Sequence, residues 1–149
     1  MADPVGSTMK AFTDQERQSF LAGKHVGVLA VAASNGRPPA GVPIWYDYID
    51  GHIRINTGAS SRKARLIEQA GAVTLVVQRE DPPYQYVVVE GTVVETTSPA
   101  PLDAREAIAI RYLGEKDGRA FVQGMGDVGS VLFTIRPDRW ISADYSEDS

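Results

Sequence analysis

The sequence contains no cysteine. Disulfides, thiolate nucleophiles and cysteine-bound metals are thereby excluded. Histidine is nearly absent as well, with His25 and His52 alone. Two imidazoles do not make a usual zinc site without several carboxylates. No apolar run approaches the ~18 residues that a membrane-spanning helix requires. Positive charge is in deficit: the net charge is −4 and the sequence pI about 5.1. A nucleic-acid binder usually carries a basic face, so that class is disfavoured. The opening Met-Ala-Asp-Pro-Val-Gly-Ser is polar and lacks the apolar core of a signal peptide. The expectation is a cytoplasmic protein with neither a membrane nor a nucleic acid as partner.

What is present suits a globular fold. Hydrophobic residues make up 43% of the 149 and charged residues 23%, which reads as one domain over 1–149. Residues 1–11 read as a loose arm. Thr13-Asp-Gln-Glu16 fits a capping box and predicts a helix from Asp14 to Ala22. His25–Ala33 is apolar and β-branched throughout, as in a strand buried on both faces. Asn35-Gly36 signals a hairpin. A strand over Ala40–Ile49 follows, and its three prolines place part of it at an edge or bulge. Asp50-Gly51 is a second hairpin turn. Further strands are predicted at Ala72–Gln78, Tyr84–Thr96, Val128–Ile135 and Trp140–Tyr145. Gly91 marks a bulge in the longest of them. Leu102–Leu113 has helical spacing, and Asp117–Gln123 is a shorter candidate. Six or seven strands joined mostly by hairpins predict a mainly β, antiparallel fold, a closed or split barrel being the way to hide its edges.

Function concentrates in His52–Arg65. Ile53 and Ile55 alternate with polar neighbours as a half-buried strand does. Gly58 breaks that strand, and Ser60 or Ser61 is a good N-cap. Arg62, Lys63 and Arg65 then load the first helical turn with positive charge. The positive end of the helix dipole disfavours cations unless an anion lies among them. Free backbone N–H groups, a serine hydroxyl and basic side chains together make a phosphate site. The competing reading is a solvated basic turn.

The run Thr57-Gly-Ala-Ser-Ser-Arg-Lys-Ala64, with Leu66-Ile-Glu68 and the Val73–Val77 strand after it, resembles the pyridoxamine 5′-phosphate oxidase-like superfamily. More narrowly it is similar to the flavin and deazaflavin oxidoreductases of the split β-barrel fold. Val42-Pro-Ile-Trp45, Asp50-Gly51 and Val87-Val-Val-Glu-Gly91 add to the likeness, which runs from about Phe20 to Val94. The resemblance implies a homodimer holding its cofactor in a groove between subunits. It assigns Ser61, Arg62 and Lys63 to the cofactor phosphate. It assigns Ile55, Asn56 and Thr57 to the ring; Gln78 reads either as a further polar ring contact or simply as a strand end. The pyridoxamine phosphate oxidases carry an arginine early in the second strand, where this chain reads Ala40-Gly-Val-Pro43. They have a glutamine where this chain has Tyr86, and a C-terminal arginine and histidine that Arg136–Ser149 lacks. These departures point toward the branch using the deazaflavin coenzyme F-420, with FMN as the alternative cofactor. The longer F-420 tail calls for a positive groove, for which Lys24, Arg37, Arg54, Arg62, Lys63 and Arg65 are candidates.

No catalytic residue stands out. Trp45 and Trp140 read as core or interface residues rather than ring-stacking ones. Tyr84, Tyr86 and Tyr112 read as packed tyrosines with rim hydroxyls. Arg111 and Glu115 are spaced as an i,i+4 pair. The expected reaction is hydride transfer from the reduced cofactor to a small organic substrate, protonated by water or a tyrosine. A protein that binds a cofactor or tetrapyrrole without turnover is the reading from another class.

Overall fold

The computed structural model describes residues 10–126 and 129–146. Its elements, in chain order, are α1 (Asp14–Ala22), β1 (Gly27–Val31), β2 (Ala40–Ile44), β3 (Asp47–Ile49), β4 (His52–Gly58), α2 (Arg62–Ala70), β5 (Ala72–Arg79), β6 (Gln85–Thr97), α3 (Leu102–Leu113), α4 (Glu115–Met125) and β7 (Ser130–Asp144). Among the described residues, no helix is long and apolar enough to cross a membrane.

The strands form one antiparallel sheet in the order β2-β1-β5-β6-β7-β4-β3. β2 and β3 lie at opposite ends of that order, yet Trp45 and Tyr46 alone separate them in the chain. Three residue steps span at most ~11 Å. The two ends of the sheet must therefore meet, so the sheet rolls into a barrel split between β2 and β3. The expected single strand over Ala40–Ile49 is thus two strands. Its break has a cause at Tyr46, which is fully buried. Its hydroxyl donates to Leu21 O at 2.7 Å and its N–H to Tyr112 Oη at 3.2 Å, taking the backbone out of the ladder. Pro43 sits in β2, on an edge as its missing N–H requires.

Asp50 and Gly51 adopt φ of 53° and 75° and join Ile49 directly to His52, as a primed turn does. Asn35 and Gly36 share that left-handed conformation, but β1 and β2 begin to pair only at Val31 and Ala40, so residues 32–39 form a wider loop. β1 is not buried on both faces. Leu29 and Val31 point inward while Val28 is 43% exposed, since an antiparallel sheet turns one face from the core.

The last two predicted strands are one strand, β7. Its expected start at Val128 lies outside the described residues. Pro137 does not break it, because it faces Gly91 where the register slips between Glu90 and Gly91. That slip is the expected bulge. A Cβ on Gly91 would lie 2.5 Å from Ile135 Cγ2 and 2.7 Å from Arg136 O. The arm is held at its described end, where Lys10 exchanges backbone bonds with Asp144.

Inward-facing Leu29, Ile53, Ile55, Leu75, Val89 and Phe133 belong to the main core. A second cluster lies outside the barrel, where Ala104 and Ile108 of α3 cover Leu132 of β7. α3 is anchored by Arg111, which donates to Ala22 O at 2.6 Å and also to Gly23 O, satisfying carbonyls at the C-terminal end of α1. Glu115 pairs with Arg119 instead of Arg111. α4 turns back at Gly114 (φ 86°) and packs Gly118 tightly on Ile110.

Candidate functional site

β4 delivers its end to a cavity of about 430 Å³ on the outer side of the barrel. The end of β2, the faces of α3 and α4 and the start of α2 complete the walls. Asn56, Thr57, Lys63, Arg105 and Ser130 supply its polar lining. Among the described residues, no carboxylate lines it.

The local geometry follows from strand alternation. Ala59 N–H donates to Gly129 O, which makes 59 and 129 a hydrogen-bonded pair at the end of β4–β7. Every second residue back along β4 then pairs likewise, and the peptide groups of Asn56 and Gly58 face away from β7. β3 has already ended on that side, its last pair being Asp47 with Arg54. Gly58 O is taken by Ser61 N–H. The peptide edge of Asn56 is left facing the cavity side. Two side-chain atoms in the same lining are orphaned: Asn56 Oδ1 and Ser130 Oγ are buried without a hydrogen-bond partner. Buried polar atoms in a folded protein are normally satisfied, so these two call for a ligand or water.

Positive charge enters from two sides. Lys63 is half-buried in the first turn of α2, and desolvation holds its ammonium below the ordinary lysine range. That turn contains no acid. Arg105 comes from α3 and donates to Gly126 O at 2.7 Å. Ser61 caps α2, accepting from Ala64 N at 3.1 Å while donating to Gly58 O at 2.7 Å.

Asn56, Thr57 and Lys63 are therefore brought together as the sequence suggested. Ile55 is not, because its side chain is fully buried on the opposite, core face of β4. Arg62 is exposed and outside the lining, and the Ser61 hydroxyl is committed to its cap. Gln78 is exposed on β5, separated from β4 by β6 and β7 in the sheet, and does not join the cavity. Of the other proposed groove cations, Arg54 is locked bidentately on buried Asp47, at 2.9 and 2.6 Å. Arg65 donates to Ser60 O, and Lys24 and Arg37 are exposed outside the lining.

Arg105, Ser130 and an aromatic wall were not foreseen. Trp45 is a cavity residue, stacked on Tyr112 at 4.9 Å and 11° and touching Phe121 at 5.5 Å. The spacing Arg105, Ile108, Ala109, Tyr112 carries a signal, since it places all four on one helical face. Tyr112 is packed as expected, its hydroxyl donating to His25 O at 2.6 Å. Trp140 packs on Tyr48 and under Arg17, away from the cavity. Among the described residues, no group of three or more metal-ligating side chains occurs.

No curated protein matches the chain. Solved structures do. A conserved hypothetical protein from Mycobacterium tuberculosis superposes with a TM-score of 0.71 at 23% identity, over 97% of this chain and 91% of that one. An F420 reductase gives a TM-score of 0.61 at 22% identity, over 83% and 94%. A FAD-binding protein from Mesorhizobium loti gives 0.66 at 21% identity, over 95% and 100%. These likenesses carry the split-barrel fold. The family model described as pyridoxamine 5′-phosphate oxidase matches residues 13–143. That span holds α1 to α4 and nearly the whole described sheet, and the chain belongs to the pyridoxamine 5′-phosphate oxidase family.

Proposed function

We propose that this chain is a coenzyme F-420-dependent oxidoreductase that acts on a small organic substrate, working as a cytoplasmic homodimer. One observation carries the reading: a cavity with two cationic side chains, two orphaned polar atoms and apolar walls, and no carboxylate among its described lining. Such a lining suits an anion attached to a flat heterocycle. A deazaflavin fits the donor set. Asn56 and Ser130, whose side-chain oxygens lack partners, would face the ring, and Lys63 with the first-turn N–H groups of α2 would hold the phosphodiester. Arg105 adds a second charge for an extended acidic tail. Bound and reduced, that cofactor supplies a hydride.

The chain's own part is positional. β4 would position the ring edge from a rigid strand, with the apolar walls of α3 and α4 beside it. Protonation falls to solvent, because the Tyr112 hydroxyl is spent on His25 O and no described carboxylate faces the cavity. An F420 reductase among the structural neighbours supports the reading. The FAD-binding neighbour favours a flavin, here FMN, as the second reading. Ala40-Gly41, in place of the arginine of the pyridoxamine phosphate oxidases, weighs against it. Fluorescence titration of the apoprotein with each cofactor tests this. F-420 is expected to bind at least about tenfold more tightly than FMN. Tight FMN binding with no F-420 binding overturns the proposal.

A further inference from the structure

The cavity has two chemically different ends. α3 sets its axis: Arg105 and Tyr112 are seven residues apart on one face, a separation of ~10 Å at 1.5 Å per residue. The Arg105 end is polar. Ser130 belongs to it, since Ser130 O accepts from Ala100 N just ahead of α3, and Gly58 of β4 pairs with Ser130. The Tyr112 end is aromatic. Trp45 lies flat on Tyr112, and Phe121 closes over Trp45 from α4. Val26 and Ile44 fill in beside them. No described lining residue of that end offers a charge: Arg111, 5.6 Å from the Tyr112 ring centroid, stands outside the lining and donates to the Ala22 and Gly23 carbonyls, and the Tyr112 hydroxyl is turned onto His25 O.

A charged group carried into that end loses its water without gaining a partner, which is costly. Planar rings meet Trp45, held flat against Tyr112 behind it, and Phe121, both in the lining, with little wasted contact. Phe121 and Met125 are also 45% and 55% exposed although they line the cavity. Their apolar area is the surface a ligand covers. α4 packs on α3 through Gly118, so its cavity face varies without disturbing the barrel core.

We infer that the Trp45–Phe121 end is a separate subsite for a neutral aromatic molecule, with its width set by Phe121 and with Met125 at the boundary toward the cationic end. That this molecule is the substrate rests on the deazaflavin reading; that the subsite binds neutral aromatics does not. The test uses N-phenyl-1-naphthylamine, a neutral fluorescent probe, titrated into the full chain with inorganic pyrophosphate present to occupy the cationic end. The probe is expected to bind, and Phe121→Ala to weaken it about tenfold, with Phe121→Leu intermediate. The sulfonated analogue, 8-anilinonaphthalene-1-sulfonate, is expected to bind at least about tenfold more weakly under these conditions. Absent or Phe121-independent probe binding overturns the inference. So does equal affinity for the sulfonated analogue. If neither cofactor binds while the probe responds to Phe121, the deazaflavin reading fails and the subsite stands.

Discussion

Lys63 shows how one side chain carries charge into a site that does not neutralise it. Its ammonium is partly desolvated, and no described carboxylate lines the cavity with it. Its folded-state pKa is therefore lowered. The sign follows from linkage: the unfolded chain holds this proton more tightly than the folded one. The cost to folding is full while the lysine is charged, and it fades as pH rises through the lowered pKa. A bound phosphate reverses the preference, since it favours the ammonium. Cofactor affinity should accordingly fall as pH rises through the Lys63 pKa toward the unperturbed value of about 10.4. Titrations across that alkaline range should show the decline in the parent and a flat profile in Lys63→Ala. A flat parent profile would remove Lys63 as the anion's partner.

At this scale the site was legible where it is local in sequence. Asn56, Thr57 and Lys63 share one strand–loop–helix passage, so spacing alone places them together. Ile55 was misplaced because alternation, which assigns strand faces, sends it into the core beside Phe133. Gln78 depends on sheet order, which no short stretch of sequence records. Arg105 and Ser130 come from elements distant in the chain, and their meeting with Lys63 is a product of tertiary packing.

Among the elements, the β6–β7 pair carries the most consequential detail. Gly91 allows the two longest strands to cross at a bulge, with Pro137 opposite. An added methyl group collides with Ile135 Cγ2 and, less avoidably, with Arg136 O. Gly91→Ala should destabilise the fold by about 3 kcal/mol, the upper part of the usual range for overpacking. Urea unfolding measures it; a change well under about 1 kcal/mol would mean that β7 shifts freely and the register is not fixed there. This bulge was readable, because a glycine inside a β-branched run weakens the strand unless a bulge or a close backbone approach requires it. So were α1, from its capping box, and the Asp50-Gly51 hairpin. The break at Trp45-Tyr46 was not. It arises when Tyr46 turns to bond Leu21 O and Tyr112 Oη, partners outside its own strand.

For the molecule as a whole, barrel closure, the cavity and family membership belong to one account. β2 and β3 are drawn together by a two-residue link, which brings Trp45 to the open side of β4. α3 and α4 then roof that opening with Arg105 at one end and Phe121 at the other. The antiparallel barrel was legible from hairpin signals and strand count. The roof was not, because an amphipathic helix does not announce which face of a barrel it covers. The central claim is that this roofed cavity holds an anionic deazaflavin through Lys63. The most direct measurement is F-420 affinity in Lys63→Ala against the parent, at near-neutral pH. Loss of one charge-assisted contact predicts a Kd weaker by roughly 10- to 100-fold. An unchanged Kd would contradict the claim and leave the basic turn a solvated helix start.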